Sequence, residues 1–163
     1  GKTAAQKFAY FIFSFAIWDI FYYVFLKMLL DWPASIFTWD ILFLIPLPWV
    51  GPVLAPCIVS LTMIILAIGI VYYEEKGYDM CIKSKDWLML ITGSVIVILS
   101  FVTDALQYLS PDLSKMENYI PMSYNWFLFW AGEGVIILEM LIYFNRTIKN
   151  NENRFKLLSE EHA

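Results

Sequence analysis

The chain has 163 residues, of which 60% are hydrophobic and 18% aromatic, while only 16% are charged. Typical soluble domains carry about 25% charged and about 45–50% apolar residues, so a water-soluble domain is not expected, and the high aromatic content excludes a disordered chain. The net charge is −4, and because Lys and Arg form no basic stripe, no nucleic-acid partner is expected. The composition instead fits a chain that is dissolved in lipid.

Four apolar stretches are long enough to cross a bilayer core about 30 Å thick, which needs about 20 helical residues. Each is bounded by charge, by proline, or by the Trp and Tyr residues typical of membrane interfaces. They cover 8–30, 53–73, 87–109 and 124–145. The sequence therefore predicts an all-α integral membrane protein, with one four-helix bundle over 1–148 and a polar tail over 149–163.

The segment between the first two spans, 31–52, is apolar and rich in proline, and it contains no Lys or Arg. Pro33 suits the first turn of a helix, which predicts a short helix over 34–44 that Pro46 and Pro48 would end. Because the segment is too apolar for a solvated loop, we expect this helix to be interfacial or re-entrant. The candidate lid or lipid-binding side chains are Trp32, Trp39, Asp40 and Trp49. A structural lid over the bundle is the simpler interpretation.

The basic residues are distributed unequally between the two sides of the predicted bundle. Nine lie on one side: Lys2, Lys7, Lys76, Lys83, Lys85, Arg146, Lys149, Arg154 and Lys156. The other side has Lys115, with Lys27 in the last turn of the first span. The positive-inside rule therefore predicts that both chain ends, including the tail, are cytoplasmic.

Four carboxylates fall inside the expected spans: Asp19, Asp104, Glu133 and Glu139. Ionisable residues in a membrane are costly and usually face the bundle interior, so these are candidates for a polar site. At about 1.5 Å per residue, Asp19 and Glu133 lie roughly 16 and 18 Å from the cytoplasmic edge, where they could meet. Tyr23 and Lys27 follow Asp19 at one and two turns, and this ladder is either a satisfied hydrogen-bond chain or a path for protons or a polar ligand.

Small and polar residues recur at helical spacing on the third and fourth spans. One stripe contains Gly93, Ser100, Asp104 and Gln107, and the other contains Asn125, Gly132, Glu139 and Arg146. Small residues let helices approach closely in lipid, and polar residues hydrogen-bond across the contact. The stripes predict helix–helix seams. A cavity that is lined by carboxylates and serves protons, a cation or a polar head group is the alternative.

Several chemistries lack the residues that they require. The single histidine, His162, lies in the tail, so paired-His haem ligation and His-rich zinc sites are excluded. The chain also has no Glu-x-x-His motif for a di-iron bundle and no Gly-rich phosphate loop. We therefore predict no metal and no cofactor, and we assign no catalytic residue.

Two runs in the first third of the chain resemble a block found in uncharacterised small bacterial inner-membrane proteins. They are WDIFYYVFLK at 18–27 and DWPASIFTWDILFLIPLPWVGPVLAP at 31–56. The resemblance covers about a quarter of the chain. It implies a bacterial inner-membrane location and an important outer segment, and it implies no activity.

The large aromatic surface, the short loops and the incomplete catalytic set favour a non-catalytic accessory or scaffold subunit of a membrane complex. Its expected partners are membrane lipids and other membrane protein subunits. One alternative is a small proton- or ion-linked transporter or membrane enzyme that uses Asp19, Asp104 and Glu133. Another is a lipid or quinone binder with Trp39 and Trp49 in its walls.

Overall fold

The computed structural model describes residues 3–43, 48–107 and 123–161. The elements are helix α1 (Ala4–Leu30), strands β1 (Trp39–Phe43) and β2 (Trp49–Pro52), and helices α2 (Leu54–Glu75), α3 (Ser84–Gln107) and α4 (Trp126–Glu161). All four helices are long and apolar enough to cross a membrane, which confirms the predicted set of four. Each overlaps one expected span. Residues 108–109 of the third expected span and 162–163 of the tail lie outside the described residues.

Local signals fix both ends of α1. The Thr3 side chain accepts a hydrogen bond from the backbone N–H of Gln6 at 3.0 Å, which caps the first turn. At the other end Asp31 adopts a left-handed conformation with φ 52°, and its carboxylate lies 2.7 Å from the Lys27 ammonium. Hydrogen bonding to Lys27 lowers the pKa of Asp31 below its usual value. Lys27 is therefore engaged at the helix end.

The bundle is built from two helix pairs. Helix α1 packs along α2 and α3 packs along α4, whereas α2 and α4 approach each other over a short stretch. Within the described residues the α1 backbone does not come close to the backbone of α3 or α4. The Phe8 and Trp87 rings touch at one end, with centroids 4.7 Å apart. The two pairs are therefore separated along much of the side between α1 and α3.

Glycine allows a close backbone contact between α3 and α4. A Cβ atom built on Gly132 of α4 would lie 2.8 Å from the Gly93 carbonyl oxygen of α3, and one built on Gly93 would lie 3.0 Å from the Gly132 carbonyl oxygen. Only the missing side chains permit this backbone approach. The predicted seam between the third and fourth spans is confirmed at these two positions.

The helix predicted over 34–44 is wrong. In the described part of that range the chain makes bends and a turn and then enters β1, which pairs antiparallel with β2. Asp40 lies opposite Gly51, and Ile41 lies opposite Val50. Aromatic and β-branched residues suit strands, and strand pairing satisfies the backbone groups of an apolar segment that prolines prevent from forming a long helix. Hydrophobic content alone could not separate these two outcomes.

The resulting β-hairpin joins the two helix pairs. Strand β2 is buried against α3, where a Cβ atom on Gly51 would lie only 2.8 Å from the Phe101 ring. The backbone N–H groups of Val53 and Leu54 donate to carbonyl groups of residues 38 and 36, so the start of α2 is tied to the same segment. The hairpin therefore covers one end of the gap between α1 and α3.

Candidate functional site

A cavity of about 410 Å³ lies between the two helix pairs, with the hairpin at one end. Its apolar walls come from α1, α2 and α3 and include Phe15, Val59, Met63, Val97, Ile98 and Phe101. Its polar lining residues are Asp19, Tyr22, Tyr23, Asp40, Ser60 and Ser94. Within the described ranges no Lys, Arg or His lines it. The cavity is thus mostly apolar, with an acidic polar part.

Asp19 is the carboxylate that α1 presents to this cavity. Because α1 packs along α2, the buried Ser60 hydroxyl reaches Asp19 and donates a hydrogen bond to its Oδ2 at 2.8 Å. The other carboxylate oxygen, Oδ1, has no partner among residues 3–43, 48–107 and 123–161. Asp19 therefore keeps an open acceptor at the cavity.

Asp40, on β1, provides the second carboxylate. The buried Tyr23 hydroxyl donates to its Oδ2 at 2.9 Å, and the Ile41 N–H donates to its Oδ1 at 2.8 Å. Tyr23 thus bonds to the hairpin, and Lys27 bonds to Asp31. The ladder expected along α1 is replaced by contacts that attach the hairpin to α1. Sequence spacing shows that these side chains share a face but cannot show that another element supplies the acceptor.

The outer tryptophans have different surroundings. Trp49 lines the cavity, whereas Trp32 packs near the Tyr23 ring with centroids 6.4 Å apart. Trp39 lies 6.4 Å from the Tyr124 ring, outside the cavity lining. Tyr124 also shares a 2.9 Å hydrogen bond with Ser100, and burial raises its pKa above the usual value. Of the four candidate lid residues, Asp40 and Trp49 therefore reach the cavity.

Glu133 lies elsewhere in the bundle, fully buried on α4. The Thr62 hydroxyl of α2 donates to its Oε2 at 3.0 Å, and its Oε1 has no partner within the described parts of the chain. Ser60 and Thr62 are two residues apart on α2, so they point in different directions and hold Asp19 and Glu133 separately. Asp104 is half-buried near the end of α3 and does not line the cavity. The cavity therefore contains only one of the three carboxylates considered for transport.

Glu139 belongs to a charged cluster at the opposite end of the bundle from the hairpin. Arg146 donates two hydrogen bonds of 2.7 Å to Asp86, which also accepts from the Lys83 N–H at 2.7 Å. Glu139 is buried beside this pair. Helical spacing places Arg146 on the same face as Glu139, but it does not predict that Asp86 of α3 is its partner. Asp86 is the third residue of α3, where an acidic side chain typically caps the helix, and this was the available signal.

Comparison with family models, with curated proteins and with solved structures finds no match to this chain. Among the described residues, no group of three or more His, Cys, Asp or Glu side chains is arranged to hold a metal ion.

Proposed function

We propose that this protein is an integral membrane protein that binds a lipid-like, amphipathic molecule in the cavity between α1 and α3. The observation that carries the proposal is the cavity itself, with apolar walls on three helices and polar groups near the hairpin. Its volume of about 410 Å³ falls in the usual range for small-molecule pockets, about 300–1,000 Å³. An apolar chain would lie along the helices and a polar head would lie near Asp19 and Asp40.

The separation of Asp19 from Glu133 and Asp104 favours binding over a transport path that uses all three carboxylates. Lipid or quinone binding, considered from the sequence as an alternative, is therefore the interpretation that the geometry supports best.

Filling the cavity tests this proposal. Val59→Phe adds a ring to the α2 wall, and Leu61→Phe makes the same kind of change at an exposed position of the same helix. Lipid-like molecules that co-purify with the protein are identified by mass spectrometry after mild detergent extraction. We expect a bound molecule in the wild type and in Leu61→Phe, and its loss in Val59→Phe. If Val59→Phe unfolds at the same denaturant concentration as the wild type and retains as much of the co-purifying molecule, ligand binding at this cavity is contradicted.

A role as an accessory or scaffold subunit is the second candidate, and the length of α4 favours it. Its 36 residues extend about 54 Å at about 1.5 Å per residue, well beyond a bilayer core of about 30 Å. The projecting part exposes Leu157 and Leu158. Replacing both by Glu should release a partner subunit that co-purifies from native membranes, whereas Ser159→Glu should not. A wild-type protein that purifies alone would count against this role.

The location that we propose is a bacterial inner membrane, with both ends of the chain in the cytoplasm. The distribution of Lys and Arg supports this orientation. Cys81 is exposed in the connection between α2 and α3, and it is the remaining thiol after Cys57→Ser. A membrane-impermeant maleimide should label Cys81 in inside-out vesicles and leave it unlabelled in intact cells from which the outer membrane has been removed. Labelling of Cys81 in the intact cells and not in the inside-out vesicles would contradict this orientation.

A further inference from the structure

We infer that the molecule held in this cavity carries a cationic head group, an ammonium borne on an apolar chain. The inference rests on the proposed binding function and specifies its ligand. It depends on three features of the described residues: the charge of the cavity lining, the hydrogen bonds already made there, and the aromatic rings beside Asp19.

The first feature is the charge of the cavity lining. Asp19 and Asp40 both line the cavity, and within the described part of the chain no cationic side chain lines it. The closest lysine on α1, Lys27, is paired with Asp31. Attraction and repulsion between charges are much stronger in a partly buried site than in water. A phosphate or carboxylate head group would therefore be repelled, and an ammonium would be attracted and would offset one of the two negative charges.

The second feature is the use of the hydroxyl donors. Ser60 donates to Asp19, and Tyr23 donates to Asp40. Oδ1 of Asp19 is left as an open acceptor. A quinone brings only carbonyl acceptors, so none of its oxygens could bond to this atom. An ammonium brings donors and no acceptor, so one of its N–H groups can donate to Oδ1.

The third feature is a pair of aromatic rings next to Asp19 on α1. Trp18 and Tyr22 are four residues apart, their ring centroids are 6.1 Å apart, and both residues line the cavity. A cation close to the face of a Trp or Tyr ring is stabilised by the quadrupole of the ring. The same rings would repel an anion that approached their faces. The rings and the two carboxylates therefore select the same sign of charge.

The inference is tested with three amphiphiles that share one apolar chain and differ in the head group: dodecylammonium, dodecanol and dodecanoate. Equilibrium binding of each is measured to the full chain in nanodiscs of zwitterionic lipid. We expect dodecylammonium to bind at least tenfold more tightly than dodecanol, and dodecanoate to bind most weakly. Asp19→Asn should weaken dodecylammonium binding at least tenfold and leave dodecanol binding unchanged. Asp79→Asn, an equal change of charge at an exposed residue that does not line the cavity, should affect neither.

Dodecanol binding to Asp19→Asn reports whether the cavity is intact in the variant, and Asp40→Asn repeats the measurement at the second carboxylate. Equal affinity for dodecylammonium and dodecanol, or dodecylammonium binding that neither variant weakens, would overturn the cationic head group and leave the binding function standing. Tighter binding of dodecanoate than of dodecylammonium would also overturn the cationic head group and leave the binding function standing. If none of the three binds and Val59→Phe releases no molecule, the proposed function itself fails.

Discussion

The glycine contact between α3 and α4 provides a sharp test of the fold, because Gly132 and the nearby Gly134 lie on the same helix in opposite environments. A Cβ atom on Gly132 would lie 2.7 Å from Val97 Cγ2 and 2.8 Å from the Gly93 carbonyl oxygen. A Cβ atom on Gly134 would meet nothing within 4 Å. Gly132→Ala should therefore separate α3 from α4, and Gly134→Ala should leave the packing unchanged.

The magnitude follows from two opposing effects. Forcing one extra carbon into a packed interface costs about 1–3 kcal/mol, and here two of the contacted atoms are backbone atoms that cannot rotate away. Replacing Gly by Ala within a helix stabilises the helix by about 1 kcal/mol, because Ala has the higher helix propensity. Both variants gain the second effect, so the difference between them isolates the clash. We expect Gly132→Ala to unfold with a free energy about 1–3 kcal/mol lower than that of Gly134→Ala.

The measurement is an SDS titration in mixed detergent micelles, followed by far-ultraviolet circular dichroism. Gly134→Ala should be at least as stable as the wild type, because it gains helix propensity without a clash. If both variants unfold at the same SDS fraction, Gly93 and Gly132 do not form the contact between α3 and α4, and the helix pairing described above is wrong.

The remaining predictions concern the two ends of the bundle. Asp86→Asn leaves Arg146 without its ionised partner. It should lower the free energy of unfolding by about 3 kcal/mol, because Asp86 is buried while Arg146 is partly exposed. The same SDS titration measures this loss, and an unfolding midpoint equal to that of the wild type would contradict the ion pair. Gly51→Ala should push β2 away from the Phe101 ring and increase cleavage of the hairpin by protease in detergent, with Gly134→Ala as the control; unchanged cleavage would contradict the docked position of β2.

The sequence was sufficient to predict the four helices and the glycine seam, since both depend on composition and on spacing along one helix. Long apolar runs have few other structures in lipid, and Gly93 and Gly132 lie on predictable faces. The hairpin could not be predicted in the same way. The apolar run around Trp39 suits a helix or a strand, and its strand pairing depends on β2, which lies beyond two prolines.

The hydrogen-bond partners of the carboxylates also could not be predicted from the sequence. Asp19 and Glu133 could be placed at similar depths from helical rise, but depth does not determine rotation about the helix axis. Ser60 and Thr62 of α2 decide their positions, and two hydroxyl residues in an apolar helix give little indication that they bind carboxylates. Only the packing of the helices shows that Asp19 faces the cavity and that Glu133 does not.

The cavity follows from how the two helix pairs are connected. Gly93 and Gly132 draw α3 and α4 together, but no glycine contact of this kind joins α1 to α3 within the described residues. The hairpin bridges the open side at one end, through Tyr23 on α1 and Phe101 on α3. Because the hairpin contacts both pairs at this end, the space between them follows from the fold itself. A ligand in that space would contact both pairs and the hairpin at once, so its binding should stabilise the whole bundle against unfolding.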